Sequence, residues 1–195
     1  MRFLLQNSQG VTASTGYSMA SNSRGPYVRS LATRLLREGG VAVPPVPIDQ
    51  LVLTQGLAIT EGAIPQGWGY FDAQAWAVRL SSRLFRESPG NMNRRRFTLA
   101  HELGHCVLDH GDLSCWNLGS LAEARQLDEL DDLPDFEQEA HHFARELLLP
   151  RPWFKRDWLA EANPERWTEV YGVSRETLFI VLQERRLLMA GRRPR

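Results

Sequence analysis

The stretch RRRFTLAHELGHCVLD, residues 94–109, decides how this chain is read. Within it His101 and His105 stand four residues apart, with Glu102 beside the first. On a helix, positions i and i+4 share a face, so both imidazoles can reach one ion. Zinc takes imidazole nitrogen readily, and a catalytic zinc keeps one position open for water. Glu102 is then the candidate general base for that water. The five-residue pattern arises by chance in roughly one chain in a few hundred of this length, so the flanking residues must support it. At about 100° per residue, Phe97, Ala100, Leu103, Gly104, Val107 and Leu108 share one arc, and the two histidines sit at its border. The stretch predicts an amphipathic helix whose core face anchors histidines that face a cleft. The plainer alternative is a helix whose histidines only pack or hydrogen-bond.

A zinc site needs a third ligand. The best source is DFEQEAHHFARELLLP, residues 135–150, where Phe136, Ala140, Phe143, Ala144, Leu147 and Leu148 follow a helical period. Asp135 is a candidate cap with Gln138 three residues on, and Pro150 marks the stop. The helical wheel separates the acids: Glu137 falls inside the apolar arc, Glu139 at its edge and Glu146 outside it. A carboxylate turned toward a core needs a partner, either a metal or a buried arginine. His141, one turn after Glu137, is a candidate ligand or a group that orients one. His142 points elsewhere and is expected at the surface.

The stretches RRRFTLAHELGH and E-x-x-A-x-x-F-A-x-x-L-L-x-P resemble the ImmA/IrrE family of zinc metallopeptidases. A weaker likeness extends to LATRLLREGGVAVPPVPIDQLVLTQGLAI, so the resemblance spans residues 27–188. It implies a small zincin with Zn2+ held by His101, His105 and Glu137, and with Glu102 as base. It also implies a protein substrate among helix-turn-helix transcriptional repressors, cut in a stress or mobile-element response. Two departures bear on the groups around the ligands. Many members carry a histidine four residues after the second ligand, where this chain has Asp109 followed by His110. Many carry asparagine where this chain has His141.

Composition bounds the rest. A chain of 195 residues suits one domain with a real core. Formal net charge is zero, so no global pull toward nucleic acid or an anionic membrane is expected. No apolar run approaches a membrane span, and the first residues carry too short an apolar run for a secretory signal. Cys106 and Cys115 are the only cysteines, and Cys106 lies off the histidine face. Two such thiols fit a reducing cytoplasm.

Along the chain, residues 1–26 are rich in Ser, Asn and Gly and are expected to be a flexible segment, with Met19 a candidate start. A domain over 27–190 and a basic tail over 191–195 follow. Its expected order is a helix over 27–37, a short helix over 48–55 and strands over 57–60, 67–72 and 75–81. The zinc helix, a loop and the glutamate helix come next. The fold class is α+β, a zincin-like domain with a small mixed sheet. By fold analogy, the strand over 75–81 is the candidate edge that pairs with extended substrate. The acidic run over 121–139 reads as a solvated loop, with a cleft lid as the sharper option.

Residues 166–186 read as helix, turn, helix with Ser174 as a cap, and look like a helix-turn-helix. Arg175, Arg185, Arg186, Arg192, Arg193 and Arg195 could meet phosphate. A packing unit is favoured, and direct nucleic-acid binding is not expected, because net charge is neutral and no base-reading face stands out. The sequence therefore points to a zinc metalloendopeptidase. The other classes open are a non-cleaving partner of a repressor or toxin and a DNA-associated regulator. An intact Glu102 favours the enzyme, since a pure binder needs no general base. Candidates for stabilising the oxyanion are Tyr171, His110 and His141.

Overall fold

In the computed structural model, residues 21–65, 67–86, 88–110 and 135–188 are described. The acidic run up to residue 134, Cys115, Met19 and the tail beyond 190 lie outside them. Helix α1 (Ser21–Glu38) starts six residues before its expected onset at Tyr27. Its first turns have a partner: Arg24 pairs with Glu139 at 3.0 Å, and a Cβ at Gly25 would stand 3.3 Å from the His142 ring. Helix α2 (Ile48–Thr54) leads into β1 (Ala58–Gly62), β2 (Gly69–Asp72) and β3 (Ala77–Ser81). A 3-10 turn over Ser82–Phe85 then feeds α3 (Pro89–Val107), capped by the Ser88 hydroxyl and begun by Pro89. Helices α4 (Asp135–Leu148), α5 (Arg151–Ala160), α6 (Pro164–Tyr171) and α7 (Arg175–Glu184) complete the described chain.

The sheet is mixed, in the order β1-β3-β2, with β1 parallel and β2 antiparallel to β3. This corrects the expectation for residues 75–81. β3 is the central strand, buried on four of its five residues, and has no edge to offer. Of the expected alternation of Trp76, Val78 and Leu80, only Val78 and Leu80 are buried in the strand; Trp76 precedes it in a turn at φ 49° and is 49 % exposed, and the strand order depends on pairing with β1. The outer strand that packs beside α3 is β2. The Trp68 carbonyl accepts from the Ser81 amide at 2.8 Å. By antiparallel alternation, Tyr70 and Asp72 also turn their main-chain groups to β3, whereas Gly69 and Phe71 turn theirs outward.

One core joins the elements. Val28, Leu35, Leu51, Val78, Leu99, Leu103, Phe143, Leu147, Phe154, Tyr171 and Leu182 all belong to it. Helix α4 runs through its middle with α3 on one side and α1 on the other, so the side of α4 opposite the apolar arc is covered too. Glu146, expected outside the arc, is therefore only 4 % exposed. It sits among Arg151 at 2.8 Å, Arg185 at 3.4 Å, His142 at 3.4 Å and Arg29 at 3.9 Å. His142 is half-buried here rather than at the surface.

The α6–α7 unit packs onto the body. Its turn residue Gly172 has φ 62°, and the Gly172 carbonyl accepts from Arg96 Nε at 3.0 Å. Asn93 donates to the Val173 carbonyl, and Arg185 donates to the Leu149 carbonyl. Ser174 caps α7 as expected, its hydroxyl accepting from the Thr177 amide. Among the described residues no helix is long and apolar enough to cross a membrane.

Candidate metal centre

His101 and His105 project from one face of α3 toward α4. The two helices come close because Gly104 faces α4: a Cβ there would stand 3.1 Å from Phe143 and 3.3 Å from the Ala140 Cα. That approach brings the Glu137 carboxylate against both imidazoles. His101 Nε2 lies 3.0 Å from His105 Nε2 and 3.1 Å from Glu137 Oε2, and His105 Nε2 lies 3.5 Å from Glu137 Oε1. All three residues are buried, and their donor atoms form a group that could hold a metal ion. The separations are the right size. A tetrahedral ion bonded at about 2.0–2.1 Å holds its ligand atoms roughly 3.3–3.4 Å apart. Two imidazole nitrogens and one carboxylate oxygen form a donor set that suits zinc.

Glu102 stands beside this group and takes no part in it. It is 6 % exposed, and the Phe71 amide hydrogen-bonds to its carboxylate. Burial pushes its pKa up to about 7, with the charge of Glu137 adding to the rise and that of His101 opposing it. His105 is held far below the ordinary histidine value by burial and by the neighbouring His101 and His110 imidazoles. For His101, burial opposes protonation, but the Glu137 hydrogen bond and the charge of Glu102 outweigh it and raise the pKa. The His105 ring is thus held neutral, the form a metal takes.

The remaining candidates separate clearly. His141 is buried with its ring centroid 4.4 Å from that of His101, and its Nδ1 has no hydrogen-bond partner. Burial and the charges of His101 and Arg145 keep it neutral. Tyr171 is committed elsewhere: its hydroxyl donates to Asp157 at 2.7 Å and its ring packs on Phe154 and Trp167. Cys106 is a free thiol outside the metal group. Glu139, expected at the edge of the apolar arc, is buried and lies 3.1 Å from His110 Nε2. Helical phase gave no sign of that contact, because its partner arrives from the end of a different helix.

Residues 87–180 match the family profile described as the IrrE N-terminal-like domain, Peptidase_M78. Among solved structures, a Mycobacterium tuberculosis transcriptional regulator is similar, with a TM-score of 0.55 at 18 % identity. The alignment covers 83 % of this chain and 48 % of that one, so this chain spans about half of that protein's length. At that identity the likeness is one of fold. No curated protein matches the chain. The matched segment, just under half of the chain, contains both histidines of α3, Glu102, the whole of α4 and the start of α7, and over it the chain is similar to the IrrE N-terminal-like domain of that peptidase family.

Proposed function

We propose that the protein is a zinc-dependent metalloendopeptidase, and that its substrate is a helix-turn-helix transcriptional repressor cut in a stress or mobile-element response. The observation that carries the peptidase reading is Glu102. It is buried next to three convergent metal donors, is not one of them, and is hydrogen-bonded to the main chain of the outermost strand. A zinc ion held by His101, His105 and Glu137 supplies Lewis acidity toward a water molecule and the scissile carbonyl.

The chain's own groups do the rest. The outward main-chain groups of Gly69 and the outward Phe71 carbonyl can pair with an extended peptide segment, as an added strand. That segment would lie across the Glu102 carboxylate, which already meets the Phe71 amide. Glu102 accepts a proton from the attacking water and delivers it to the leaving amine, a task suited to a carboxylate whose pKa lies near the working pH. His141 is the neutral imidazole nearest the ligands by ring distance and is the group we assign to hydrogen-bond the developing oxyanion. The repressor assignment rests on the family resemblance. The cytoplasmic setting rests on the low cysteine content, two in 195 residues.

The test is incubation of zinc-loaded protein with helix-turn-helix repressors from the same genome, with and without a chelator, read by gel and by product mass. Cleavage at one bond, lost on chelation, is the expected result. Tight binding of the repressor with no cleavage would replace this reading with that of a non-cleaving partner.

A further inference from the structure

We propose that His110 and Glu139 are positioning residues for His105, fixing its ring and tautomer toward the metal cluster, with Arg24 as their outer anchor. The inference rests on the reading that the cluster binds a divalent metal. Four side chains form a continuous line. His105 Nδ1 lies 2.9 Å from His110 Nδ1, His110 Nε2 lies 3.1 Å from Glu139 Oε2, and Arg24 Nη1 lies 3.0 Å from the same oxygen.

The chemistry of donors and acceptors allows one consistent arrangement along that line. His105 Nε2 faces His101 and Glu137, so a metal there needs its lone pair and the ring proton sits on Nδ1. That N–H donates to His110 Nδ1, which must then be the bare nitrogen. The His110 proton is left on Nε2, where it donates to Glu139. Arg24 supplies a second donor to Glu139. Each donor is used once along the line, and the Glu139 carboxylate accepts twice, as its lone pairs allow.

The backbone explains how a residue five positions after His105 reaches it. Continuing α3 would put residue 110 about 140° around the helix from residue 105. The helix instead ends at Val107, Asp109 takes a left-handed conformation at φ 57°, and the His110 amide bonds back to the His105 carbonyl at 3.0 Å. This turn folds His110 under the end of the helix, with its side chain only 5 % exposed and its ring against Phe136. His101 has no such support, since its Nδ1 is buried without a partner. Of the two imidazoles, the line acts on His105 alone.

The experiment compares the wild type with His110→Phe, His110→Gln and Glu139→Leu. Phenylalanine keeps the ring that packs on Phe136 but removes both hydrogen bonds, whereas glutamine offers an acceptor and a donor without the ring. Zinc affinity is measured by competition with a chromophoric chelator, cobalt loading by its visible absorption spectrum, and the metal-free fold by thermal denaturation. Loss of such an orienting group weakens metal affinity about 10–100-fold, which is the expectation for His110→Phe, with about tenfold for Glu139→Leu. His110→Gln should stay within about threefold of wild type. The cobalt spectrum of His110→Phe should shift, while the metal-free melting temperatures stay close. Wild-type affinity in His110→Phe would overturn the inference, as would an equal loss in His110→Gln and His110→Phe, which would assign the effect to packing. If His110→Phe does not fold, wild-type affinity in Glu139→Leu overturns it. A wild type that takes up no metal fails the metal-site reading instead.

Discussion

Glu137 and Glu146 are both buried on α4 and face opposite ways. Nine residues separate them, about 900° of helical turn and so half a turn apart. Glu137 meets two imidazoles from α3, at 3.1 and 3.5 Å. Glu146 meets guanidinium groups from α1, α5 and the end of α7, together with His142. One helix thus turns one carboxylate toward the imidazoles of α3 and the other into a cluster of guanidinium groups.

The first side predicts a separation of roles between neighbouring acids. His105→Ala and Glu137→Ala each remove one of three donors and should abolish stoichiometric zinc in elemental analysis of purified protein. Glu139→Ala removes no donor, so it should still load one zinc per chain at saturating metal while binding it less tightly. Full zinc in Glu137→Ala, with none in Glu139→Ala, would mean that Glu139 and not Glu137 is the ligand.

The second side predicts the acid limb of the stability curve. Burial alone would raise the Glu146 carboxyl, but the His142 hydrogen bond and the charges of Arg185 and Arg151 outweigh it and bring the pKa from 4.5 down to about 2. A depressed folded-state pKa stabilises the protein above the unfolded value. That contribution, at most roughly 3 kcal/mol, is lost as pH falls from about 4.5 to about 2. Glu146→Gln should cost about 3 kcal/mol at pH 7, because Arg185 and Arg151 lose their countercharge. It should also flatten the loss of stability over the acid window. Urea titrations at pH 7, 4 and 3 measure both effects, and a variant that tracks the wild type at all three pH values contradicts the account.

These two faces also mark how far the sequence carries. The inward phase of Glu137 was legible, because it interrupts an apolar arc that needs no knowledge of the partner helix. The burial of Glu139 and Glu146 was not, since it depends on α1 and on the turn after α3 covering the rest of α4. Strand existence was legible from alternation, but the central place of β3 was not, because β1 pairs with it directly in parallel while β2, which lies between them in sequence, takes the far side. Helix α5 went unread despite Pro152 in its first turn and the Phe154–Trp158 pair one turn apart, whose rings lie 6.2 Å apart. The α6–α7 pair resembled a helix-turn-helix because a capped helix after a glycine turn is a local pattern. What its turn is fixed to, Asn93 and Arg96, is not local.

That fixing makes Gly172 a stability determinant. Its left-handed φ suits glycine, and a Cβ there would lie 2.7 Å from Arg96 Nε, the group that bonds its carbonyl. Arg96 also holds the Val46 carbonyl at 2.9 Å, so moving it loosens the joint between α3, the α6–α7 turn and the approach to α2. Gly172→Ala should cost about 2 kcal/mol from backbone strain and the displaced guanidinium. The melting temperature should fall by roughly 4–8 °C. Thermal denaturation decides it, and an unchanged melting temperature would show that Arg96 swings aside freely.

The last prediction concerns Glu102, where position and chemistry can be tested apart. Glutamine matches glutamate in size and can still accept the Phe71 amide hydrogen bond, so Glu102→Gln should fold and keep the β2–α3 contact. The three donors are untouched, so zinc content and the cobalt spectrum should match the wild type. The outward edge of β2 is also unchanged, and binding of the repressor should persist. Only the acceptance and return of a proton is lost. Cleavage should therefore fall by about 10²–10⁴-fold, the usual contribution of a positioned general base. Single-turnover cleavage with enzyme in excess, alongside a binding isotherm for the same repressor, measures the two quantities separately. Near-wild-type cleavage by Glu102→Gln removes Glu102 from the proton path and leaves the base to be sought among other groups around the cluster. A matched fall in binding and cleavage would instead make Glu102 a support for β2, with its bond to the Phe71 amide as its main contribution.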